Sequence, residues 1–265
     1  MTEERQVEEY MGKRKICIVG CSDHKTLAPW GDMSYGIWGV NNLFLTLNAD
    51  QMKNVTGWFE IHTIEKKNGV WYRRGKKEFR GQPMDKYIEG LSMLKCPIYM
   101  QKKWDEVPTS VEYPLKTIMD YWRTDYINNS ITYELLLAGY MIHTQPDKFE
   151  PHIAVYGVDM ATTSDLLGNG EYQHQRPSCE WALGLLAGSG ITLELPKEAD
   201  LLKVRFLYGF NEPEQNAFSA KLKNYKTSLV QRMNQAAMEK DVATKKVEQY
   251  TGALQALQEI TRVWE

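Results

Sequence analysis

The sequence has no run of about 18 apolar residues of the kind that spans a bilayer, and its opening stretch, MTEERQVEEYMGKRK, is charged where a secretory leader is apolar. No membrane partner is expected, and the chain should stay in the cytoplasm. The four cysteines, Cys17, Cys21, Cys96 and Cys179, contain no CxxC pair. Cys17 and Cys21 bracket a predicted strand end, where disulfide geometry is poor, so a reducing compartment fits best. The five histidines are dispersed, without HExxH or zinc spacing, and give no case for a resident metal or other cofactor. No GxGxxG follows the first strand and no GxxxxGK[ST] is present, which excludes a dinucleotide fingerprint and a P-loop. The formal net charge is only −2, too small an excess for a chain dominated by nucleic-acid binding. There is no internal repeat, no low-complexity tract and no proline after Pro213.

What the chain does contain is the composition of an ordinary globular protein, 43% hydrophobic and 25% charged over 265 residues. Residues 15–20, KICIVG, form an apolar, β-branched run that ends at glycine, the pattern of a buried parallel strand entering a loop. Residues 36–40 (GIWGV), 57–62 (GWFEIH), 152–160 (HIAVYGVDM) and 191–196 (ITLELP) read as further strands, with a short apolar run at 97–100. Residues 130–143 read as a helix with Ser130 as cap or first-turn residue, and 177–188 as another with Pro177 at its first position. This alternation predicts an α/β domain over residues 1–212, a Rossmann-like, mostly parallel sheet with flanking helices and right-handed crossovers.

In such sheets ligands sit beyond the carboxyl ends of the strands, and polar residues recur there: Gly20 with Ser22, Asn41 with Asn42, Glu60 with His62, and Asp159. In the GCSDHKT segment Gly20 lets the chain turn tightly and Ser22 offers a hydroxyl, a combination that is often no more than a turn. Asp159, at the end of a buried strand, is costly to hold unless it caps a loop, bonds a ribose hydroxyl or meets a cation. The loop after it is rich in Gly and Thr and ends in Glu171, Tyr172, His174 and Arg176. That places an acid, an aromatic ring, a base and a guanidinium within six residues of a lid-like loop, where functional groups commonly concentrate. Between Lys66 and Arg80 seven cations stand against one acid, Glu78. The segment is either a solvated basic loop or a patch that steers a phosphate-bearing ligand or polyanion.

The texture changes after Asn211. Phe218, Leu222, Tyr225, Leu229 and Ala236 step by three, four and seven, and Tyr250, Ala253, Leu257, Ile260 and Trp264 resume the register after a polar stretch around residues 239–246. Residues 213–265 are therefore expected to form one long helix or a two-helix hairpin, which either promotes homo-oligomerisation or folds back on its own domain.

GCSDHKTL after the first strand, GVNNLF after the second, NSITYELLLAGY and VYGVDM come in an order that resembles the bacterial lipooligosaccharide sialyltransferases. The related flagellin motility-accessory and 6-hydroxymethylpterin pyrophosphokinase-like family shares that order, over about residues 14–195. The whole chain, with EYQHQRPSCEW and LYGF, resembles still more a group of bacteriophage-encoded proteins, which implies the cytoplasm of an infected bacterium. The sialyltransferase likeness implies a nucleotide ligand, typically a CMP-sugar, bound without an essential metal. It also implies that Gly20 and Ser22 touch phosphate or ribose, Asn41 contacts the nucleotide, Ser130 lines the site, Asp159 closes it and His174 is the general base. Asn42, Tyr172 and Arg176 complete the expected ligand contacts. The leading expectation is a glycosyltransferase-like transferase using a nucleotide-sugar. The alternatives are a non-catalytic phage nucleotide sponge, a structural assembly protein, and phosphate-ester or pyrophosphoryl chemistry on the same fold.

Overall fold

The computed structural model describes residues 12–160, 171–203, 207, 210 and 215–264, and the chain divides into two compact units, Met1–Lys203 and Val204–Glu265. The first unit runs β1 (Arg14–Val19), β2 (Tyr35–Val40), α1 (Ala49–Met52), β3 (Val55–Glu60), β4 (Ile64–Lys67), β5 (Val70–Arg73), β6 (Glu78–Phe79), β7 (Gln82–Pro83), α2 (Met84–Ser92), β8 (Ile98–Met100), β9 (Ser110–Glu112), α3 (Leu115–Trp122), α4 (Ser130–Thr144), β10 (Phe149–Tyr156), α5 (Glu171–Gly188) and β11 (Thr192–Glu194). Seven strands make one sheet in the order β11-β10-β1-β2-β3-β8-β9, with every neighbour parallel. This is the expected Rossmann-like α/β architecture.

The alternation in β1 explains why it is central. Ile16 and Ile18 enter one core cluster while Cys17 and Val19 enter the other, all four at 0% exposure. A strand buried on both faces reads as an unbroken apolar run. The first face is covered by α3, α4 and α5, with α4 lying across β10, β1, β2 and β3. The opposite face is covered by α2 and by the segment around Trp30. The edge strand β11 is tied in by Glu194, which accepts hydrogen bonds from Tyr35 Oη (2.8 Å), Tyr156 Oη (2.6 Å) and His152 Nε2 (2.9 Å).

From β1 the chain adds β2, β3, β8 and β9 on one side, and α4 then returns it to place β10 and β11 on the other. The strand order therefore reverses between β1 and β10, the switch point at which ligands enter open parallel sheets.

Three local expectations need correction. The basic segment is not a loop, because β4 and β5 pair as an antiparallel hairpin and β6 with β7 as a second, tiny one. Helix α5 starts at Glu171, so Pro177 lies inside it and Tyr172, His174 and Arg176 are helical rather than loop residues. A proline in that position lacks the N–H that the turn before it needs and pries the turn open. Two carbonyls of the same turn accept from side chains, His174 O from Asn128 Nδ2 (2.6 Å) and Gln175 O from Asn129 Nδ2 (3.1 Å). The lid-like stretch at 161–170 lies outside the described residues.

In the second unit the C-terminal segment is a single helix, α6 (Gln215–Trp264), and not a hairpin. Its 50 residues extend about 75 Å at 1.5 Å per residue. Among the described residues no helix is long and apolar enough to cross a membrane.

Candidate functional site

At the switch point the loops after β1 and β10 touch through their backbones. Gly20 N donates to Tyr156 O and Ser22 N to Gly157 O, each at 2.8 Å. A Cβ on Gly20 would lie 2.4 Å from Gly157 O, and one on Gly157 would lie 2.6 Å from Gly20 O. Gly20 is thus required for close approach, which is a different reason from the tight turn expected of it. His24 bridges the same two loops. Its Nδ1 accepts from Gly157 N (2.9 Å), so the proton of the neutral ring sits on Nε2 and is donated to Asp159 Oδ1 (2.7 Å). Asp159 is held by a buried histidine from across the crevice, a partner that neither residue advertises in sequence. Gly157→Ala combines a φ of +65° with these contacts and is expected to cost about 2–4 kcal/mol of stability, read from urea denaturation. A cost below about 0.5 kcal/mol, within the scatter of surface substitutions, would mean that the two loops part freely.

Beside this clasp stands Cys21, exposed at the end of β1. Its partly desolvated setting raises the thiol pKa; Arg80 and Lys25 are close enough to pull it back down, and Glu134 to push it up. Lys25 Nζ also donates to Cys21 O at 3.3 Å. Neither Lys25 nor Arg80 has a carboxylate partner among the described residues. Arg80 arrives from the turn between β6 and β7 with a φ of +51°. By contrast Lys66 pairs with Glu106, Lys67 with Glu65 and Arg73 with Glu60, so much of the basic segment is neutralised within the fold.

The carboxyl ends of β2 and β3 carry a second polar group. Glu60 is fully buried and accepts from Arg73 Nε (3.1 Å), from the His62 backbone N–H (3.1 Å) and from the Tyr87 hydroxyl. Burial pushes its carboxyl upward, but the hydrogen bond to His62 and the Arg73 charge outweigh this and hold it below the usual carboxylate range. His62 Nδ1 is 2.7 Å from Glu60 Oε1 and 2.7 Å from Arg73 Nη2; a single ring nitrogen can donate to the one or accept from the other. Asn41, in the left-handed region at φ +51°, presents Oδ1 to Arg73 Nη2 (3.4 Å), while its carbonyl accepts from Trp58 Nε1 (3.0 Å). Asn42 is buried.

The remaining expected residues are brought to the same edge without joining one another. Ser130 opens α4, half-buried, next to Asn129, which caps the helix by accepting from Thr132 N (2.9 Å). Tyr172 and His174 are exposed on the first turns of α5. Arg176 is engaged by Glu180 (2.9 Å) and Asp200 (2.8 Å), an anchor for the segment after β11. No hydrogen bond links Asp159, His174 or Arg176 to one another, to Ser22 or to Asn41 among the described residues. No group of three or more His, Cys, Asp or Glu among those residues is placed to hold a metal ion.

His24, Lys25, Arg73 and Arg80 therefore extend the residues expected at this edge. The chain matches no protein-family model, no curated protein and no solved structure.

Proposed function

We propose that the first unit binds a nucleotide or nucleotide-sugar at the β1/β10 switch point, its phosphate beside the Gly20–Ser22 turn between Lys25 and Arg80. The observation that carries this reading is the pair of cations without carboxylate partners among the described residues, both acting on Cys21 at the strand end where a parallel sheet receives ligands. A phosphate completes them as charge-assisted contacts. The likeness to lipooligosaccharide sialyltransferases supports a CMP-sugar donor, with His174 as general base on an acceptor hydroxyl. A non-catalytic nucleotide binder is the second reading. It is favoured by the engagement of Asp159 with His24 and of Arg176 with Glu180 and Asp200, which leaves His174 without an orienting side-chain partner among the described residues.

Thermal unfolding of the full chain tests the binding itself. CMP or UMP at about 100 times Kd should add about 2.7 kcal/mol of stability, and Lys25→Ala or Arg80→Ala should each weaken affinity about tenfold, a loss near 1.4 kcal/mol. A nucleotide and nucleotide-sugar panel that leaves the wild-type melting temperature unmoved would exclude the reading.

For the second unit we infer pairing with a second copy of the chain through α6. On a single helix Leu222, Leu229, Ala236, Ala243, Tyr250, Leu257 and Trp264 fall seven residues apart without a break, and all are exposed. The stripe is identical on every copy, as a heptad seam requires, and an isolated helix with its apolar face in water has little to hold it.

A further inference from the structure

The basic segment folds through three two-residue turns, Asn68-Gly69 between β4 and β5, Arg74-Gly75 after β5, and Arg80-Gly81 between β6 and β7. In each the first residue has φ of +50° or +51° and the glycine +75° to +79°, the type I′ geometry of tight hairpins. Asn-Gly is the pair that such a turn prefers, and the first turn has it. Arginine is disfavoured there, because its Cβ crowds the following carbonyl. Two of the three turns nonetheless carry a guanidinium at the tip, a break with local preference of the kind that marks function. Arg74 N donates to Thr63 O (2.9 Å), which ties its turn to the residue before β4. Lys66, Lys67 and Arg73 are paired with carboxylates. Exposed Arg74, Lys76 and Lys77 have no such partner among the described residues, and Glu78 beside them pairs with none of them. An aromatic ring completes the face: Tyr72 is half-buried, with Lys77 Nζ 5.8 Å and Lys67 Nζ 5.9 Å from its centroid.

We propose that this hairpin face binds single-stranded nucleic acid, with Arg74, Lys76 and Lys77 on its phosphates and a base stacked on Tyr72, a role independent of the nucleotide reading above. Cations that track a backbone around an aromatic platform hold single strands with little regard for sequence, since every base has a face to stack. In a duplex those faces are covered by neighbouring base pairs, so the ring has a partner only on a single strand. Outside this segment the chain is net acidic, which confines a polyanion to the hairpins.

Fluorescence anisotropy of the full chain with labelled oligodeoxythymidine and oligouridine of about 15 nucleotides tests this face. At least one should bind, about tenfold or more tighter than a duplex of the same length. Its affinity should fall about twentyfold between about 50 and 200 mM salt, as three phosphate contacts on a single strand require. Tyr72→Leu, which keeps apolar bulk without the ring, should weaken binding about tenfold. Arg74→Asn should weaken it about fivefold at about 0.1 M salt and flatten the salt slope by about 0.7. The same variant should melt no lower than wild type, because Asn-Gly suits the turn. Binding of neither oligonucleotide, or of duplex or heparin as tightly as single strand, would overturn the inference. So would a Tyr72→Leu chain that binds like wild type, or an Arg74→Asn chain that binds like wild type or melts lower. If Tyr72→Leu does not fold, Arg74→Asn decides.

Discussion

Arg73→Ala is expected to destabilise the first unit by about 3–5 kcal/mol, because it leaves Glu60 ionised and fully buried with its counter-charge gone. At about 2–4 °C per kcal/mol for a unit of this size, the melting temperature should fall by roughly 6–20 °C. The pH dependence has a definite sign. The folded pKa of Glu60 lies below its ordinary value of 4.5, so its contribution is present above that value and is lost as pH falls through the lower folded one. The penalty of Arg73→Ala should accordingly shrink in acid. Adding Glu60→Gln to Arg73→Ala should recover part of the loss at pH 7, since the uncompensated charge is then removed. A single-variant loss under about 1 kcal/mol, the range of exposed ion pairs, would show that the buried pair is not what holds β3, β5 and α2 together.

The second large effect concerns α6. Leu229→Asp with Leu257→Asp places charges in the seam, and each buried leucine lost from a core is worth about 2–5 kcal/mol. Dimer dissociation should become at least about a hundredfold easier, which corresponds to 2.7 kcal/mol. Sedimentation should report wild type above the 30.7 kDa of one chain and the variant at it, with much of the helical signal of the 50-residue element lost. Wild type that sediments as a monomer would contradict the pairing.

The strands were legible because their burial on both faces leaves short apolar runs that end in polar residues. KICIVG and HIAVY became the adjacent central strands β1 and β10. Less legible was whatever depends on partners distant in sequence. Glu60 shares the alternating face of Trp58, and both are fully buried, which alone signals a need for a cation; that the cation is Arg73 follows only from the β4–β5 hairpin. Asp159 reads in sequence as the acid ending a buried strand, but β10 stops at Tyr156 and the side chain is partly exposed; its partner His24, 135 residues away, could not be paired with it by pattern. Pro177 lies inside α5 although proline favours a helix start, and the Asn128 and Asn129 side chains that bond carbonyls of the same turn are distant in sequence. In α6, Ala236 and Ala243 carry the heptad through a stretch whose charges had suggested a break.

The measurement closest to the central claim is a crystal structure of the full chain soaked with CMP. The account predicts phosphate density beside the Gly20–Ser22 turn, within reach of Lys25 and Arg80, at the carboxyl ends of β1 and β10. Nucleotide density elsewhere on the molecule, with that edge empty, would contradict it.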